Sequence, residues 1–184
     1  MGTALLVVGG LIVLVFIWVI ATYNRLVGLK NQIDNAWAQI DVQLKKRYDL
    51  IPNLVETVKG YAAHEKEVFE NVAAARSAMM QAQGVEAQAQ AQNQITQALK
   101  SLFAVAEAYP ELKANENFAA LQQQLSATEN SIAQSREIYN NVVAGFNTII
   151  QSFPSSIIAS SFGFTRREYF PMEDAAREAP KVRF

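Results

Sequence analysis

The fold is decided by residues 24–62, NRLVGLKNQIDNAWAQIDVQLKKRYDLIPNLVETVKGYA. Apolar residues recur along this stretch at intervals of seven, in two series offset by three or four positions, which predicts one apolar stripe on a helix. Pro52 cannot donate to the carbonyl of Tyr48, so a kink or a new helix is expected there. Gly60, at the end of the stripe, is the stronger stop signal. The start of the second helix, at Pro52 or after Gly60, stays open. The two series are Leu26, Ile33 and Ile40, and Trp37, Leu44, Ile51 and Val58.

The chain before this stretch predicts a membrane anchor. Residues 4–21 are all apolar or glycine, and a helix of that length rises about 27 Å, close to the hydrocarbon thickness of a bilayer. Trp18 and Tyr23 lie where an interfacial aromatic anchor is expected. A cleaved signal peptide ending at residues 19–21 (VIA) is the rival interpretation. Residues 1–3 carry no Lys or Arg, however, and this favours a retained anchor that contacts the lipid bilayer.

Two basic residues predict the orientation of the anchor. Arg25 and Lys30 follow the apolar segment closely, and only the amino terminus is basic before it. The positive-inside rule then places the amino terminus outside and the following domain in the cytoplasm, at a bacterial inner membrane.

Three further helices are expected after the first one. The apolar pattern predicts helices at residues 24–60, 63–83, 86–109 and 115–153. The polar, alanine-rich residues 81–94 contain Gly84, which predicts a turn followed by weakly packed helical turns. The third helix should end before Pro110, because the residue that precedes a proline disfavours the helical conformation.

The last predicted helix has the most regular pattern. Five heptads of apolar residues indicate a bundle or coiled-coil seam, and Trp37 and Phe146 are predicted core residues. The main series is Phe118, Leu125, Ile132, Tyr139, Phe146 and Phe153, and its companion is Leu121, Thr128, Ser135, Val142 and Ile149.

These patterns predict an all-α chain. An N-terminal transmembrane helix (residues 1–23) precedes an antiparallel bundle of long helices (residues 24–153), and an extended, aromatic-rich segment follows (residues 154–184). Four helices are expected, and three are the alternative if the middle two fuse. Four alternating helices bring Phe153 back towards Leu26, whereas three leave it near Val58.

The C-terminal segment is too apolar for a plain disordered tail. It either packs on its own bundle or hooks onto a neighbouring subunit. Its candidate contact residues are Phe162, Phe164, Tyr169 and Phe170.

Composition excludes several classes of function. Sixteen basic and seventeen acidic residues nearly cancel, which opposes nucleic-acid binding. The chain has no cysteine and one histidine, His64, so disulfides, thiolate chemistry and sites with two imidazoles are excluded. No P-loop, GxSxG or GxGxxG motif occurs. We therefore predict no catalytic residues, no metal site and no cofactor.

Lys45, Lys46 and Arg47 form the only strong basic run. On an upright helix they lie about 33 Å beyond Tyr23, further than the Debye length of about 8 Å over which lipid headgroups attract. A protein partner, or Glu173 and Asp174 of the tail, is the expected contact.

At residues 23–65 and in four later blocks the chain resembles the LemA family of bacterial single-pass membrane proteins. The resemblance implies an antiparallel bundle of long helices behind an N-terminal membrane segment, and no activity or cofactor is established for the family. The later blocks are AAAR (73–76), EAYPELKANENFAALQQQL (107–125), TENSIAQSREIYNNVVAGFN (128–147) and Gly163-Phe164.

Two functional hypotheses remain. The first is a non-enzymatic, membrane-anchored scaffold or adaptor that self-associates as a homo-oligomer or binds an unidentified protein partner. The second is a membrane-shaping protein, whose oligomeric rods impose or sense curvature.

Overall fold

The computed structural model describes residues 1–171 of the 184-residue chain. This part is helical and contains no strand, which confirms the predicted all-α class. The four long helices predicted from the sequence are confirmed, and two short helices lie between and after them. In chain order the helices are α1 (Gly2–Lys59), α2 (Lys66–Gln81), α3 (Val85–Glu107), α4 (Pro110–Lys113), α5 (Glu116–Gln151) and α6 (Ser155–Ser161).

Helix α1 joins the apolar segment to the first bundle helix without a break. It continues through Pro52 to Lys59, although Pro52 has no N–H to offer the preceding turn. The chain then turns at Gly60, and α2 begins at Lys66. The second helix therefore starts after Gly60 and not at Pro52.

Local signals end and begin the remaining helices. Gly84 has a φ of +82°, a conformation that other residues rarely adopt, and it separates α2 from α3. The backbone N–H of Phe118 donates to Asn115 Oδ1 at 3.0 Å, a side-chain cap on the first turn of α5. Pro110 occupies the first turn of α4, where its missing N–H costs nothing.

Helix α6 was not predicted, because residues 155–161 were assigned to the extended segment. Ser155 Oγ lies 2.7 Å from the carbonyl oxygen of Ile149 and 2.9 Å from that of Ser152, so it can satisfy carbonyls left over at the end of α5. Ile158 and Ala159 are buried, which gives this short helix an anchoring face. The predicted non-helical chain then follows at residues 164–171.

The chain groups into two compact units. Unit 1 comprises Met1–Ala38 and Glu137–Tyr169, and unit 2 comprises Gln39–Arg136 together with Phe170 and Pro171. The division predicted from the sequence, an anchor followed by a bundle and a C-terminal segment, stays a prediction.

In unit 2, α1 and α2 run antiparallel. The Lys59 ammonium lies 5.7 Å from the centre of the Phe69 ring, whereas Arg76, further along α2, stacks 4.0 Å from the ring of Tyr48. All four long helices and α4 supply the buried core. Its members are Ile51, Leu54, Val58, Ala62, Val72, Ala75, Ile95, Ala98, Leu99, Leu102, Ala106, Leu112, Phe118 and Leu125.

In unit 1, α1 and α5 also run antiparallel. The rings of Trp37 and Tyr139 are 5.5 Å apart, and after α5 the ring of Phe162 lies 4.8 Å from that of Tyr23. The chain has thus returned towards the apolar segment, as four alternating helices require. The buried apolar residues of this unit are Leu26, Ile33, Ala36, Tyr139, Val143, Phe146, Ile158 and Ala159.

Only some of the residues predicted to lie in the core of unit 1 have buried side chains. Phe146 is 1% exposed, as predicted. Trp37 is only partly buried. The prediction that Phe153 belongs to the seam is wrong, because α5 ends at Gln151 and the Phe153 side chain is 84% exposed. Val143, which lies off the predicted seam, is fully buried.

Candidate functional site

The apolar segment at the start of α1 is the first functional feature of unit 1. Its large side chains are exposed throughout, and none of the most apolar window is buried inside the structure. Within the described chain, α1 is the one unbroken helix that is long and apolar enough to cross a membrane. An apolar surface of this extent is strongly unfavourable in water. These are the features of a membrane protein that carries a helical bundle.

An aromatic cluster supports α1 where it leaves the apolar segment. The ring of Tyr23 lies 4.8 Å from that of Phe162 and 5.9 Å from that of Phe164. The ring of Phe164 is also 6.3 Å from that of Phe146 on α5. Such edge-to-face and tilted pairs are favourable beyond the area they bury. The predicted anchor residue Tyr23 is thus held by residues that follow α6 in the chain, whereas Trp18 has a partly exposed side chain on the apolar segment itself.

Asn147 holds the chain that follows α6 against α5. Its Nδ2 donates to the carbonyl oxygen of Arg167 at 2.9 Å, and its Oδ1 accepts from the N–H of Arg167 at 2.9 Å. The Asn147 side chain is buried, so both hydrogen bonds are shielded from water on that side. The heptad pattern contains no signal for this contact, because Asn147 lies beside the apolar seam.

Replacing Asn147 by alanine is expected to lower the free energy of unfolding by about 2 kcal/mol, because two backbone hydrogen bonds are lost and each contributes about 1 kcal/mol. Urea unfolding of the full chain in detergent, followed by circular dichroism, measures this loss. Asn141→Ala is the matched control, since Asn141 is exposed on the same helix. Equal, small losses for both variants would show that the two hydrogen bonds between Asn147 and the Arg167 backbone contribute nothing to stability.

Tyr139 makes a second link to the same segment. Its hydroxyl donates to the carbonyl oxygen of Glu168 at 3.0 Å. Burial raises the pKa of Tyr139 above its usual 10.0, nearby Arg167 opposes this rise, and Glu168 and Asp34 add to it. The folded state therefore holds the phenolic proton more tightly than the unfolded state.

We expect this phenol to make the protein less stable as the pH rises above 10.0, the ordinary pKa of the group. Over that window the folded state binds more protons than the unfolded state, so the free energy of unfolding falls with pH. Tyr139→Phe should have a shallower fall over the same window, at the cost of about 1 kcal/mol at neutral pH for the lost hydrogen bond. Parallel stability curves for the two proteins in alkaline buffer would contradict this.

The C-terminal aromatic residues divide into two groups. Phe164 is partly buried within unit 1. Phe170 is buried in unit 2, where the Arg136 guanidinium lies 4.5 Å from its ring centre, a cation–π geometry. Phe162 and Tyr169 keep exposed side chains. For Phe164 and Phe170 the structure therefore supports packing on the protein's own helices rather than a hook onto a neighbour.

Arg47 is not a surface residue, and its predicted role as a partner contact is wrong. Its side chain is 1% exposed and ion-pairs with Glu129 at 2.7 Å. It also donates to Gln92 Oε1 at 2.6 Å and to Thr96 Oγ1 at 2.8 Å. The guanidinium thus joins α1, α3 and α5 inside unit 2. The spacing of the chain contains a signal for this, because Arg47 continues the series of Ile33 and Ile40 at intervals of seven.

The rest of the basic run stays on the surface. Lys45 pairs with Asp49 at 3.4 Å, with both side chains well exposed, and such pairs contribute little stability. Lys46 is exposed. The role of these two residues in binding a partner stays a prediction, and the alternative contacts Glu173 and Asp174 lie outside the described residues.

A cleft of about 200 Å³ opens in unit 2 beside the buried side chain of Gln92, a hydrogen-bond partner of Arg47. Its lining also includes Met79, Met80 and Asp41. Burial raises the pKa of Asp41, and a hydrogen bond with Gln88 partly opposes this rise. Within residues 1–171 no three His, Asp or Glu side chains gather as metal ligands would.

Comparison with known proteins places the chain in a family. Residues 36–184 match the model of the LemA family. The chain is 26% identical to magnetosome protein MamQ 2 of Paramagnetospirillum magneticum, over 97% of its own length and 75% of that protein. It is 25% identical to magnetosome protein MamQ of Magnetospirillum gryphiswaldense, over 87% and 68% of the two chains. It is also 25% identical to protein LemA of Metamycoplasma hominis, over 84% and 71%. Because the family match covers most of its length, this protein belongs to the LemA family.

Proposed function

We propose that this protein is a non-enzymatic scaffold or adaptor, anchored in the bacterial inner membrane, that self-associates or binds protein partners through its bundle. The observation that carries the proposal is the continuity of α1, which runs from Gly2 to Lys59 without a hinge. A flexible tether lets a domain tumble, whereas this chain has no non-helical linker between the apolar segment and Lys59. The Tyr23 cluster supports this by packing against the helix where it leaves the apolar segment.

The same continuity supports the proposed self-association. Neighbouring anchors would hold neighbouring copies of α1 in register, so weak contacts between bundles add to one another. Exposed apolar side chains such as Val42 and Met80 supply candidate contacts. Because Phe164 and Phe170 pack within the chain, the proposed homo-oligomer does not require these two residues to dock on a neighbouring subunit.

Photo-crosslinking in native membranes tests the binding surface. A photoreactive phenylalanine analogue replaces Lys46 or Val42, both of which are exposed on α1. We expect adducts of discrete mass that contain either a second copy of this chain or one other protein. The matched control places the analogue at the buried Ile40, where only adducts within the chain should form. Absence of intermolecular adducts at every exposed position would oppose a scaffold.

The side of the membrane is tested separately. The bundle is expected in the cytoplasm, because Arg25 and Lys30 follow the apolar segment. The chain has no cysteine of its own, so Lys46→Cys provides a single label site. We expect an impermeant maleimide to label it only after the inner membrane is broken. Labelling in cells whose inner membrane is intact would place the bundle in the periplasm.

The membrane-shaping alternative makes a different prediction. If copies of the bundle impose curvature, vesicles reconstituted with the full chain should form tubules or buds as protein density rises. Vesicles that stay round at densities where the chains crosslink would favour the scaffold.

A further inference from the structure

The end of unit 1 beside the apolar segment carries an unusual surface. No Asp, Glu, Lys, Arg or His occurs from Ile138 to Thr165, which covers the last part of α5 and all of α6. Four large apolar side chains of this stretch are exposed. Ile138 lies at its start, and the other three lie around the bend between α5 and α6, where we call them the elbow patch. They are Phe153 at 84%, Ile157 at 56% and Phe162 at 56% exposure.

The elbow patch does not arise from a poorly packed helix. Within α6, Ile158 is 8% exposed and Ala159 is 1% exposed, so the helix has a well-buried inner face. Ile157 lies next to them in sequence and points away from that face. The helix itself is bent by 95° from α5. Of the three patch residues, only Ile157 lies within α6, on its outward side, whereas Phe153 precedes the helix and Phe162 follows it directly.

The position of the patch along α1 is fixed by Tyr23. The ring of Phe162 packs 4.8 Å from that of Tyr23, and Tyr23 follows the last apolar residue of the segment, Ala21, by two positions. Two residues correspond to a rise of about 3 Å in a helix. If residues 4–21 cross the membrane, Phe162 lies at the depth where interfacial aromatic residues are found.

Two exposed arginines of unit 1 follow the aromatic residues of this region closely in sequence. The first charged residue after the apolar segment is Arg25, and the first after the uncharged stretch is Arg166. Both side chains are exposed. Each follows, by two positions, a member of the ring pair Tyr23 and Phe164. Cations just beyond an apolar surface match the phosphates of anionic lipids.

From these observations we infer that the elbow patch is a second membrane contact, which lies in the headgroup region of the same bilayer that α1 crosses. The helix α6 would lie along the surface with Phe153, Ile157 and Phe162 towards the acyl chains, as interfacial helices do. The anchor and the patch together would fix both the tilt and the rotation of α1, which a single span cannot do. The inference does not depend on self-association or on a protein partner.

The test uses single cysteines in the full chain, which has none of its own. Ile157→Cys and Phe162→Cys carry a nitrobenzoxadiazole label in nanodiscs of phosphatidylcholine and phosphatidylglycerol. Ile138→Cys is the matched control, an exposed isoleucine of the same unit that lies beside Tyr139, near Trp37 rather than Tyr23. Lipids with a nitroxide near the glycerol end of the acyl chain then quench any label in the interface.

We expect severalfold stronger quenching at Ile157 and Phe162 than at Ile138, and the reverse order with a water-soluble paramagnetic quencher. Because Phe162 packs on Tyr23, its replacement also alters a contact, and Ile157, outside that ring pair, keeps the test interpretable. Equal quenching at the three sites would overturn the inference. A blue-shifted label that neither quencher reaches would also overturn it, since a second protein chain would then cover the patch.

Discussion

Phe146→Ala is expected to lower the free energy of unfolding by about 3–5 kcal/mol, the range found when a fully buried aromatic side chain is removed. Phe146 is 1% exposed on α5, and its ring lies 6.3 Å from that of Phe164. The substitution therefore leaves a cavity under the chain that holds Tyr23. Urea unfolding in detergent measures the loss.

Phe153→Ala is the matched control for this prediction. It removes the same kind of side chain two residues beyond the end of α5, where Phe153 is 84% exposed. Its effect should stay within about 0.5 kcal/mol, as for most surface substitutions. If both variants unfold at the same urea concentration as the parent protein, Phe146 does not belong to a packed core.

Arg47→Met should have an effect of similar size, about 3 kcal/mol. The substitution keeps an unbranched apolar stem and leaves Glu129 and Gln92 without the guanidinium they contact. Removal of one member of a buried ion pair is strongly destabilising. Glu129 is 36% exposed, so water can partly compensate, which sets the expectation at the low end of the known range. Arg47→Lys should recover only part of the loss, because an ammonium cannot replace the guanidinium fork.

Lys46→Met is the control for charge and composition. Lys46 is the next residue along α1 and is exposed, so its effect should be within about 0.5 kcal/mol. The double variant Arg47→Met with Glu129→Gln should be less destabilised than the sum of the single variants, because the two residues interact directly. Additive losses would mean that the ion pair contributes no coupling.

Sequence periodicity predicted the long helices because their apolar residues repeat over many turns. Leu26, Ile33 and Ile40 are all buried, as their spacing required. The same reasoning ended the first helix at Gly60 and separated the middle helices at Gly84. Each of these signals is local, since it depends on the backbone preferences of residues close in the chain.

The contacts that were missed are non-local and polar. Arg47 was grouped with Lys45 and Lys46 as a contact for a partner because of its residue type, although its position continues the apolar series. Its burial depends on Gln92 and Glu129, which lie far along the chain. Gln92 occurs in the polar, alanine-rich stretch, and Glu129 follows Thr128, a polar position of the α5 seam. The weak packing expected for residues 81–94 was also wrong, because Ala89, Ala91 and Gln92 are buried.

The aromatic residues after α5 show a similar limit. Composition showed that the side chains of Phe162, Phe164 and Phe170 are unfavourable in water. It could not show whether they are buried by their own chain or by another protein. Phe164 and Phe170 find it on α5 and beside Arg136, respectively. The hydrogen bonds of Asn147 to the Arg167 backbone hold the chain after α6 against α5. A lone asparagine beside an apolar seam contains no sequence signal for such a role.

The central proposal, a scaffold that acts as an assembly, is tested most directly by the mass of the full chain in its own membrane. The protein is extracted at native abundance into polymer-bounded native nanodiscs, without detergent, and the number of chains in each disc is counted by mass. We predict discs that contain two or more copies, or one copy with a second protein in fixed ratio. Discs that contain a single chain and no other protein would contradict the proposal.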